Sequence, residues 1–471
     1  MPASDLHFER KNGYDTLTPE DSRKMEKTAA DYMRFLGAAK TEREAHDEAV
    51  KLLEAAGFRS FEQAGKKPLR PGDRIYRSCA GKTLAAAIIG KKNPEEGLRL
   101  IGAHTDAPRI DIKQNPLYES GELALLDTHY YGGIKKYQWV TVPLALHGVF
   151  IKTDGTKVAV KIGENESDPV FYISDLLIHM SQDQMKKSLA EGISGENLDI
   201  IAGSAPSADT KRKNRIKYRV LELLAKQYDV KEEDFSSAEL EAVPAAKPRE
   251  VGFDRSLIAA YGHDDRVCAY SALYALLNTK GTPERTLCAL LCDKEEIGSY
   301  GATGMQSNFF ENTVAEIIEG SGRTCTPLAL MRALRNTKAL SADVNSAYDP
   351  LYASAYEKKN AAFINQGACI TKATGARGKS GASDANAEFV AEVRGIFGRG
   401  GVIWQTGELG KVDQGGGGTI SMLMAHYGMD VVDCGVPVLS MHAPVEVVAK
   451  LDLYMTCKGF LAFFNDKQET R

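Results

Sequence analysis

Four uninterrupted apolar runs constrain the fold of this chain more than any other feature. They cover residues 98–104 (LRLIGAH), 287–292 (LCALLC), 339–344 (ALSADV) and 437–442 (PVLSMH). Strands that are apolar at consecutive positions, rather than at alternate ones, are buried on both faces. The runs therefore predict an α/β fold, in which helices cover both faces of a mixed sheet.

Helix signals precede the first of these runs. Thr41 and Glu44 form a capping-box pattern, and Gly57 stands where a helix C-cap belongs. Between them, apolar residues recur at helical spacing at Ala49, Leu52, Leu53 and Ala56. A second helix is predicted over DRVCAYSALYALLN, residues 265–278.

The hydrophobic pattern in the middle of the chain differs from that of the segments on either side. Residues 107–252 carry alternating β-type stretches, two of which are joined by the hairpin signal Asp154-Gly155. With 471 residues the chain is long for a single domain. We therefore predict an α/β domain in two parts, 1–106 and 253–471, interrupted by a smaller β-rich domain over 107–252.

Composition narrows the class of partner. The 59 basic and 63 acidic side chains give a net charge of -4, which offers no field to hold a nucleic acid. The first 15 residues are polar and acidic, unlike a signal peptide, and no apolar run is long enough to span a membrane. The eight cysteines are scattered, as reduced thiols are. We expect a cytoplasmic protein without nucleic acid or membrane partners.

Side chains of the kind that bind metals stand at or just after the ends of the apolar runs. They are His104, Asp106, Glu295, Glu296, Asp343 and His442. A further candidate, Asp264, lies at the start of the helix predicted from residue 265. The carboxyl ends of strands in an open α/β sheet meet at one edge, so these residues are compatible with a single site.

Taken one at a time, these residues have a simpler interpretation. A lone His or Asp at the end of a strand is more often a loop hydrogen-bonding or helix-capping residue than a metal ligand. Glu295 and Glu296 are harder to explain in that way, because adjacent carboxylates repel each other unless a cation or solvent compensates. Only the whole set favours a metal site.

Five segments of the chain resemble the consecutive metal-site motifs of a known family, the aspartyl aminopeptidase-like zinc metalloaminopeptidases. The segments are IGAHTDAPR, GHDDRVCAY, CDKEEIGSYGA, LSADVNSAYDP and VLSMHAPVE. They occur in the family's order and cover nearly the whole chain. The resemblance implies an enzyme that hydrolyses the N-terminal residue of peptides, through a water that bridges two divalent metals.

The resemblance also implies a role for each residue. Two Zn²⁺ per subunit, with Co²⁺ or Mn²⁺ as alternatives, would be bound by His104, Asp264, Glu296, Asp343 and His442. In that assignment Asp264 bridges the two ions, although an ungapped alignment from Gly262 would give the bridge to Asp265. Asp106 would orient His104. Glu295 would be the general base, taking a proton from the water and returning it to the leaving amine.

Assembly and oxyanion stabilisation are implied as well. Family members form tetrahedral dodecamers through the second domain, and His179 resembles a histidine that reaches the site of a neighbouring subunit. The alternative is that His179 is a packing residue, because a lone histidine among apolar neighbours usually is. His129, His147 and His263 have the same packing interpretation.

Substrate preference rests on one lysine. In the family a lysine of a GP-x-x-K segment pairs with an acidic substrate side chain, and Lys372 in GACITK lies one residue out of register with it. Lys372 is therefore either a substrate-binding residue or a solvated surface lysine. Acidic specificity stays open.

Two other functions use the same sequence features. A related two-metal deacylase or deblocking peptidase would have the same ligands, but would act on blocked substrates. A self-assembling scaffold would retain the fold without turnover. The presence of all five ligands and the base argues against a scaffold.

Overall fold

The computed structural model describes Leu6, residues 10–64 and residues 68–468. These residues divide into two compact units. The main unit comprises the described residues of Met1–Asp106, Pro248–Met441 and Glu446–Arg471, and the inserted unit comprises Ala107–Lys247 with His442–Val445.

The described helices and strands have the following bounds. The α-helices are α1 (Pro19–Ala38), α2 (Glu42–Ala55), α3 (Phe61–Ala64), α4 (Leu189–Gly192), α5 (Arg215–Tyr228), α6 (His263–Asn278), α7 (Phe309–Gly320), α8 (Pro327–Arg335), α9 (Ala387–Arg399), α10 (Ser421–His426) and α11 (Lys450–Asn465). The strands are β1 (Arg59–Ser60), β2 (Arg74–Cys79), β3 (Thr83–Ile88), β4 (Arg99–His104), β5 (Arg109–Ser120), β6 (Leu123–Tyr131), β7 (Leu144–Ile151), β8 (Lys157–Ile162), β9 (Ile200–Gly203), β10 (Ala238–Pro244), β11 (Arg249–Val251), β12 (Leu257–Ala260), β13 (Leu287–Cys292), β14 (Lys338–Ser341), β15 (Asn345–Ser346), β16 (Ala368–Thr371), β17 (Trp404–Thr406), β18 (Asp430–Gly435), β19 (Pro437–Leu439) and β20 (Glu446–Ala449).

A mixed sheet of nine strands forms the centre of the main unit. Its order is β1-β2-β3-β13-β4-β14-β18-β16-β17. The four central strands β13, β4, β14 and β18 run parallel, while β3 and β16 flank them in the antiparallel sense. The predicted α/β class with a mixed sheet is confirmed.

Helices cover both faces of this sheet, as predicted. On β4, Ile101 and Ala103 belong to a buried cluster formed with α1, α2, α6 and α11, whereas Leu100 belongs to another formed with α7, α8 and α10. Successive side chains of a strand point to opposite faces, so an uninterrupted apolar run supplies both clusters.

The predicted start of α2 is confirmed. The Thr41 hydroxyl accepts a hydrogen bond from Glu44 N at 3.2 Å, and the Glu44 carboxylate accepts one from Lys40 N at 2.9 Å. Gly57 follows the helix with φ +83°, a left-handed conformation that costs glycine little. The helix predicted over 265–278 is present as α6.

The strand predictions for the last two apolar runs need correction. β14 ends at Ser341, two residues before Asp343, and β19 ends at Leu439, three residues before His442. Moreover, β19 lies outside the nine-stranded sheet, in a five-stranded sheet of order β11-β12-β20-β19-β15. Ser440 and His442 have φ +61° and +67°, which a β-strand does not allow. In the nine-stranded sheet, the strand that pairs with β14 on the side away from β4 is β18.

The inserted unit contains an antiparallel sheet of six strands, in the order β8-β7-β10-β5-β6-β9. The predicted hairpin is present, because β7 and β8 pair on either side of Asp154 and Gly155. The unit ends at Lys247 rather than at the predicted residue 252, because β11 pairs with β12 of the main unit.

Two other expectations bear on the class of protein. Within the described residues, no helix has both the length and the apolar character of a membrane-spanning segment. All eight cysteines are free thiols, and six of them are buried. The cytoplasmic location stays a prediction.

Candidate metal centre

Three adjacent parallel strands bring the predicted ligands of the main unit to one edge of the sheet. β4 lies between β13 and β14, with His104 opposite Cys292 and Gly102 opposite Ser341. β4 ends at His104, and the segments that leave β13 and β14 carry Glu295, Glu296 and Asp343. These side chains therefore emerge from the carboxyl ends of neighbouring strands, as the sequence predicts.

The His104 imidazole lies among carboxylates. Its side chain is 1% exposed, and Nε2 is 3.2 Å from Asp264 Oδ1, 3.9 Å from Glu295 Oε2 and 4.0 Å from Asp343 Oδ1. Nδ1 is 3.0 Å from the Asp106 carbonyl oxygen, which only accepts hydrogen bonds. Nδ1 therefore carries a proton, and Nε2 is the nitrogen directed at the carboxylates.

The geometry suits divalent cations. His104, Asp264 and Asp343 place one ligand atom each within 4.8 Å of one another, and so do His104, Glu295 and Glu296. Asp264 and Glu296 are within the same distance of each other. An imidazole combined with carboxylates is a donor set for zinc, manganese or cobalt, and carboxylates gathered this closely repel each other unless cations compensate. The residues present therefore fit the metal that the resemblance implies.

Asp106 anchors the turn that carries the two glutamates. Its Oδ1 accepts a hydrogen bond from Glu295 N, and its Oδ2 accepts one from Glu296 N, both at 3.1 Å. The same carboxylate lies 3.3 Å from His104 Nδ1. The sequence predicts a link from Asp106 to His104 alone. The link to the glutamates depends on the pairing of β4 with β13, which no local pattern reveals.

Asp264 and Asp265 point to different atoms of His104. Asp264 Oδ1 faces the imidazole at 3.2 Å, whereas Asp265 Oδ2 accepts a hydrogen bond from His104 N at 3.4 Å. The peptide bond between the two aspartates is cis. Asp264 N also donates to Glu446 Oε2 at 3.0 Å, and Glu446 is buried. Glu446 closes the fifth motif, but the sequence assigned it no role.

The environment shifts the pKa of several of these groups. Burial raises the pKa of Asp343 well above its usual value, and repulsion from Asp265 and Asp264 adds to this, although His104 opposes it. Burial likewise raises the pKa of Asp265. For His104, burial lowers the pKa, but hydrogen bonds with Asp106 and Asp264 outweigh it, so the pKa is raised. Cation binding at such a site releases protons.

His442 belongs to the inserted unit. Its Nδ1 lies 2.8 Å from the Gly133 carbonyl oxygen, within the same unit. Because a carbonyl accepts hydrogen bonds, Nδ1 carries the proton and Nε2 is the nitrogen with a lone pair. That tautomer is the one that a metal ligand with an Nδ1–H partner adopts.

Within a single chain, His179 is not a packing residue. The histidine is exposed on the single 3₁₀ turn Ile178–Met180 of the inserted unit, where Ile178 is 69% and Met180 67% exposed. His129 is exposed as well. An apolar neighbour in sequence indicates packing only where that neighbour is itself buried, and here the neighbours are not.

The packing interpretation is correct for the other two histidines. His147 is buried with Nε2 3.1 Å from Glu164 Oε1. His263 is buried with Nδ1 2.7 Å from the Tyr32 hydroxyl oxygen, and burial lowers the pKa of His263 to about 3. Both have partners that explain their presence in a core.

Lys372 follows β16 and forms an ion pair. Its Nζ lies 2.8 Å from Asp384 Oδ1, and Lys379 Nζ lies 3.2 Å from Asp384 Oδ2. The Lys372 side chain is 51% exposed.

Comparison with known proteins identifies the family. Residues 35–464 match the family described as Aminopeptidase I zinc metalloprotease (M18). A relative from Clostridium acetobutylicum, described as a probable M18 family aminopeptidase 1, is 49% identical over 468 residues, which cover 99% of this chain and 100% of the relative. A relative from Thermotoga maritima with the same description is 44% identical over 451 residues, which cover 96% of this chain and 98% of the relative.

Solved structures agree with the sequence relatives. The crystal structure of an M18-family aminopeptidase from Thermotoga maritima has a TM-score of 0.93 at 43% identity, covering 98% of this chain and 100% of that one. Aminopeptidase I from Clostridium acetobutylicum has a TM-score of 0.91 at 46% identity, with the same coverage. A structure described as an S. cerevisiae mApe1 dodecamer shares the fold, with a TM-score of 0.73 at 22% identity, covering 93% of this chain and 96% of that one. The chain therefore belongs to the aminopeptidase I zinc metalloprotease (M18) family and is an aminopeptidase of that family.

Proposed function

We propose that this chain removes the N-terminal residue of peptides at a centre of two divalent cations, most readily Zn²⁺. The supporting observation is that carboxylates from the start of α6 and from the segments after β13 and β14 converge on His104 Nε2, at the end of β4. Asp264 is the proposed bridging ligand, because its carboxylate faces the imidazole while that of Asp265 faces the backbone.

The remaining ligands follow the family pattern. His104 and Asp343 would hold one ion, and Glu296 and His442 the other. The ions, when bound, supply Lewis-acid activation of a water molecule and of the scissile carbonyl. His442 has the tautomer required, since its Nδ1 donates to Gly133 O.

Glu295 is the proposed general base. Its side chain is 17% exposed, so it is accessible to a substrate, and Asp106 holds its backbone N–H. The carboxylate would take a proton from the attacking water and deliver it to the nitrogen of the leaving peptide. An open position on a bound metal, together with nearby carboxylates, would hold the free α-amino group of the substrate and so restrict cleavage to the N-terminal residue.

Assembly into a homo-oligomer, a tetrahedral dodecamer in the family pattern, is part of the proposal. The segment around His179 exposes Leu176, Leu177, Ile178, Met180, Met185 and Leu189 in the inserted unit. Apolar surface of this kind favours burial in an interface. His179 would then reach a neighbouring subunit and stabilise the developing oxyanion. Solution scattering tests the assembly, and a stable monomer would refute it.

Metal analysis and a substrate panel test the activity. The purified protein should contain two equivalents of zinc, manganese or cobalt, lose activity with a chelator and regain it with the metal. Aminoacyl chromogenic substrates of Asp, Glu and Leu should be hydrolysed, whereas their acetylated forms should not. Turnover of the acetylated forms alone would instead identify a deacylase or deblocking peptidase.

A further inference from the structure

Thr105 stands between two residues of the candidate metal centre and faces away from them. The side chains of His104 and Asp106 meet at 3.3 Å, so they lie on the same side of the chain. Thr105, between them, directs its hydroxyl instead at the Cys292 carbonyl oxygen, 3.2 Å away. Any rotation of the Thr105 backbone would therefore displace both neighbours together.

Thr105 is tied to β13 by two hydrogen bonds. Its backbone N–H donates to the Cys292 carbonyl oxygen at 2.9 Å, and its hydroxyl donates to the same oxygen at 3.2 Å. Cys292 is the last residue of β13, directly before the turn that carries Glu295 and Glu296. Thr105 itself is fully buried.

Thr105 is also tied to α6. The Arg266 Nε donates to the Thr105 carbonyl oxygen at 2.9 Å. Arg266 is 1% exposed, and its guanidinium lies 5.3 Å from the centroid of the Tyr261 ring. It follows Asp264 and Asp265 along the same helix. Burying a guanidinium is costly, and a packing role alone would be served better by an apolar side chain.

We propose that Thr105 and Arg266 are positioning residues that set the spacing between the three segments on which the ligands stand: the end of β4, the turn after β13 and the start of α6. The inference rests on the proposed metal centre. Outer residues that orient ligands typically change metal affinity by about 10- to 100-fold when they are replaced.

Zinc affinity of the full chain is the test, measured by competition with a chromophoric chelator. Thr105→Val removes the hydroxyl at nearly constant volume, and Arg266→Met removes the guanidinium at similar length. Each should weaken Zn²⁺ binding by about 10- to 100-fold. Thr105→Ser keeps the hydroxyl and should therefore retain the zinc affinity of the wild type.

Arg99 provides a matched control. It is buried at the opposite end of β4, where its guanidinium lies 4.8 Å from the centroid of the Phe463 ring. Arg99→Met should lower the melting temperature of the zinc-free protein without changing zinc affinity. Wild-type affinity in both Thr105→Val and Arg266→Met would overturn the inference, as would an equal loss in Arg99→Met. If Arg266→Met does not fold, Thr105→Val decides. A wild-type chain that binds no zinc would instead refute the metal centre itself.

Discussion

The backbone N–H of Glu295 donates to the carboxylate of Asp106 over 3.1 Å, although 188 residues lie between the two in sequence. Asp106 accepts from Glu296 N through its other oxygen, and it lies beside His104. One buried carboxylate thereby holds the imidazole of β4 in register with the two glutamates after β13. This geometry leads to a first prediction.

Asp106→Asn should lower kcat/KM by about 10- to 100-fold. An amide offers a single acceptor oxygen, so its NH₂ group would face one of the two backbone N–H groups of the glutamate turn. Steady-state kinetics at saturating metal measure the effect. Asp433→Asn is the control, because Asp433 is also a buried carboxyl but bonds to Thr419. Equal losses in both variants would contradict a specific role of Asp106.

Glu295→Gln should reduce kcat by about 10²- to 10⁴-fold while the metal content stays at the wild-type level. The amide cannot take up the proton of the attacking water, but it leaves the proposed ligands in place. Glu296→Gln should instead lower the metal content, since it replaces a ligand. Elemental analysis beside kinetics separates the two variants. Unchanged turnover in Glu295→Gln would rule out the assigned role.

Lys372→Met should reduce kcat/KM for Asp and Glu substrates relative to Leu substrates by about 10-fold, if Lys372 binds an acidic side chain. Lys379→Met is the matched control, because both lysines pair with Asp384 and are similarly exposed. The control should leave the Asp-to-Leu ratio unchanged. If the ratio of kcat/KM for Asp substrates to that for Leu substrates is the same in both variants, Lys372 is a surface lysine held by Asp384.

Asp452 should make stability depend on pH. Burial raises the pKa of Asp452 to about 8, although Asn365 N and Gly367 N donate to its carboxylate. In the unfolded chain an aspartate has a pKa of about 3.9. Between about pH 4 and pH 8, Asp452 therefore holds a proton in the folded chain but not in the unfolded chain. The stability of the folded chain falls as the pH rises through this window.

Urea denaturation of Asp452→Asn and the wild type between pH 5 and pH 8 measures this effect. The free energy of unfolding of the wild type should decrease relative to the variant by about 1 kcal/mol per pH unit. Asp413→Asn, at an exposed position, should show no such difference. If the difference in the free energy of unfolding between the wild type and Asp452→Asn stays constant with pH, the prediction is wrong.

The local elements and the chemistry of the ligands could be predicted from the sequence alone. The runs at 98–104 and 287–292 became β4 and β13, Thr41 became the cap of α2, and Asp154-Gly155 became a hairpin turn. These outcomes depend on periodicity and on the hydrogen bonds of nearby residues, so they can be read from a short stretch of chain.

Which side chains meet depends on how the elements pack in three dimensions. The strand order β13-β4-β14 brings Glu295, His104 and Asp343 to one edge of the sheet. The packing of α6 against β4 turns Asp264, rather than Asp265, toward the His104 imidazole. The exclusion of β19 from the main sheet and the Lys372–Asp384 pair were likewise invisible in the sequence. Contacts between residues far apart along the chain are selected by the packing of the whole domain, which local patterns do not encode.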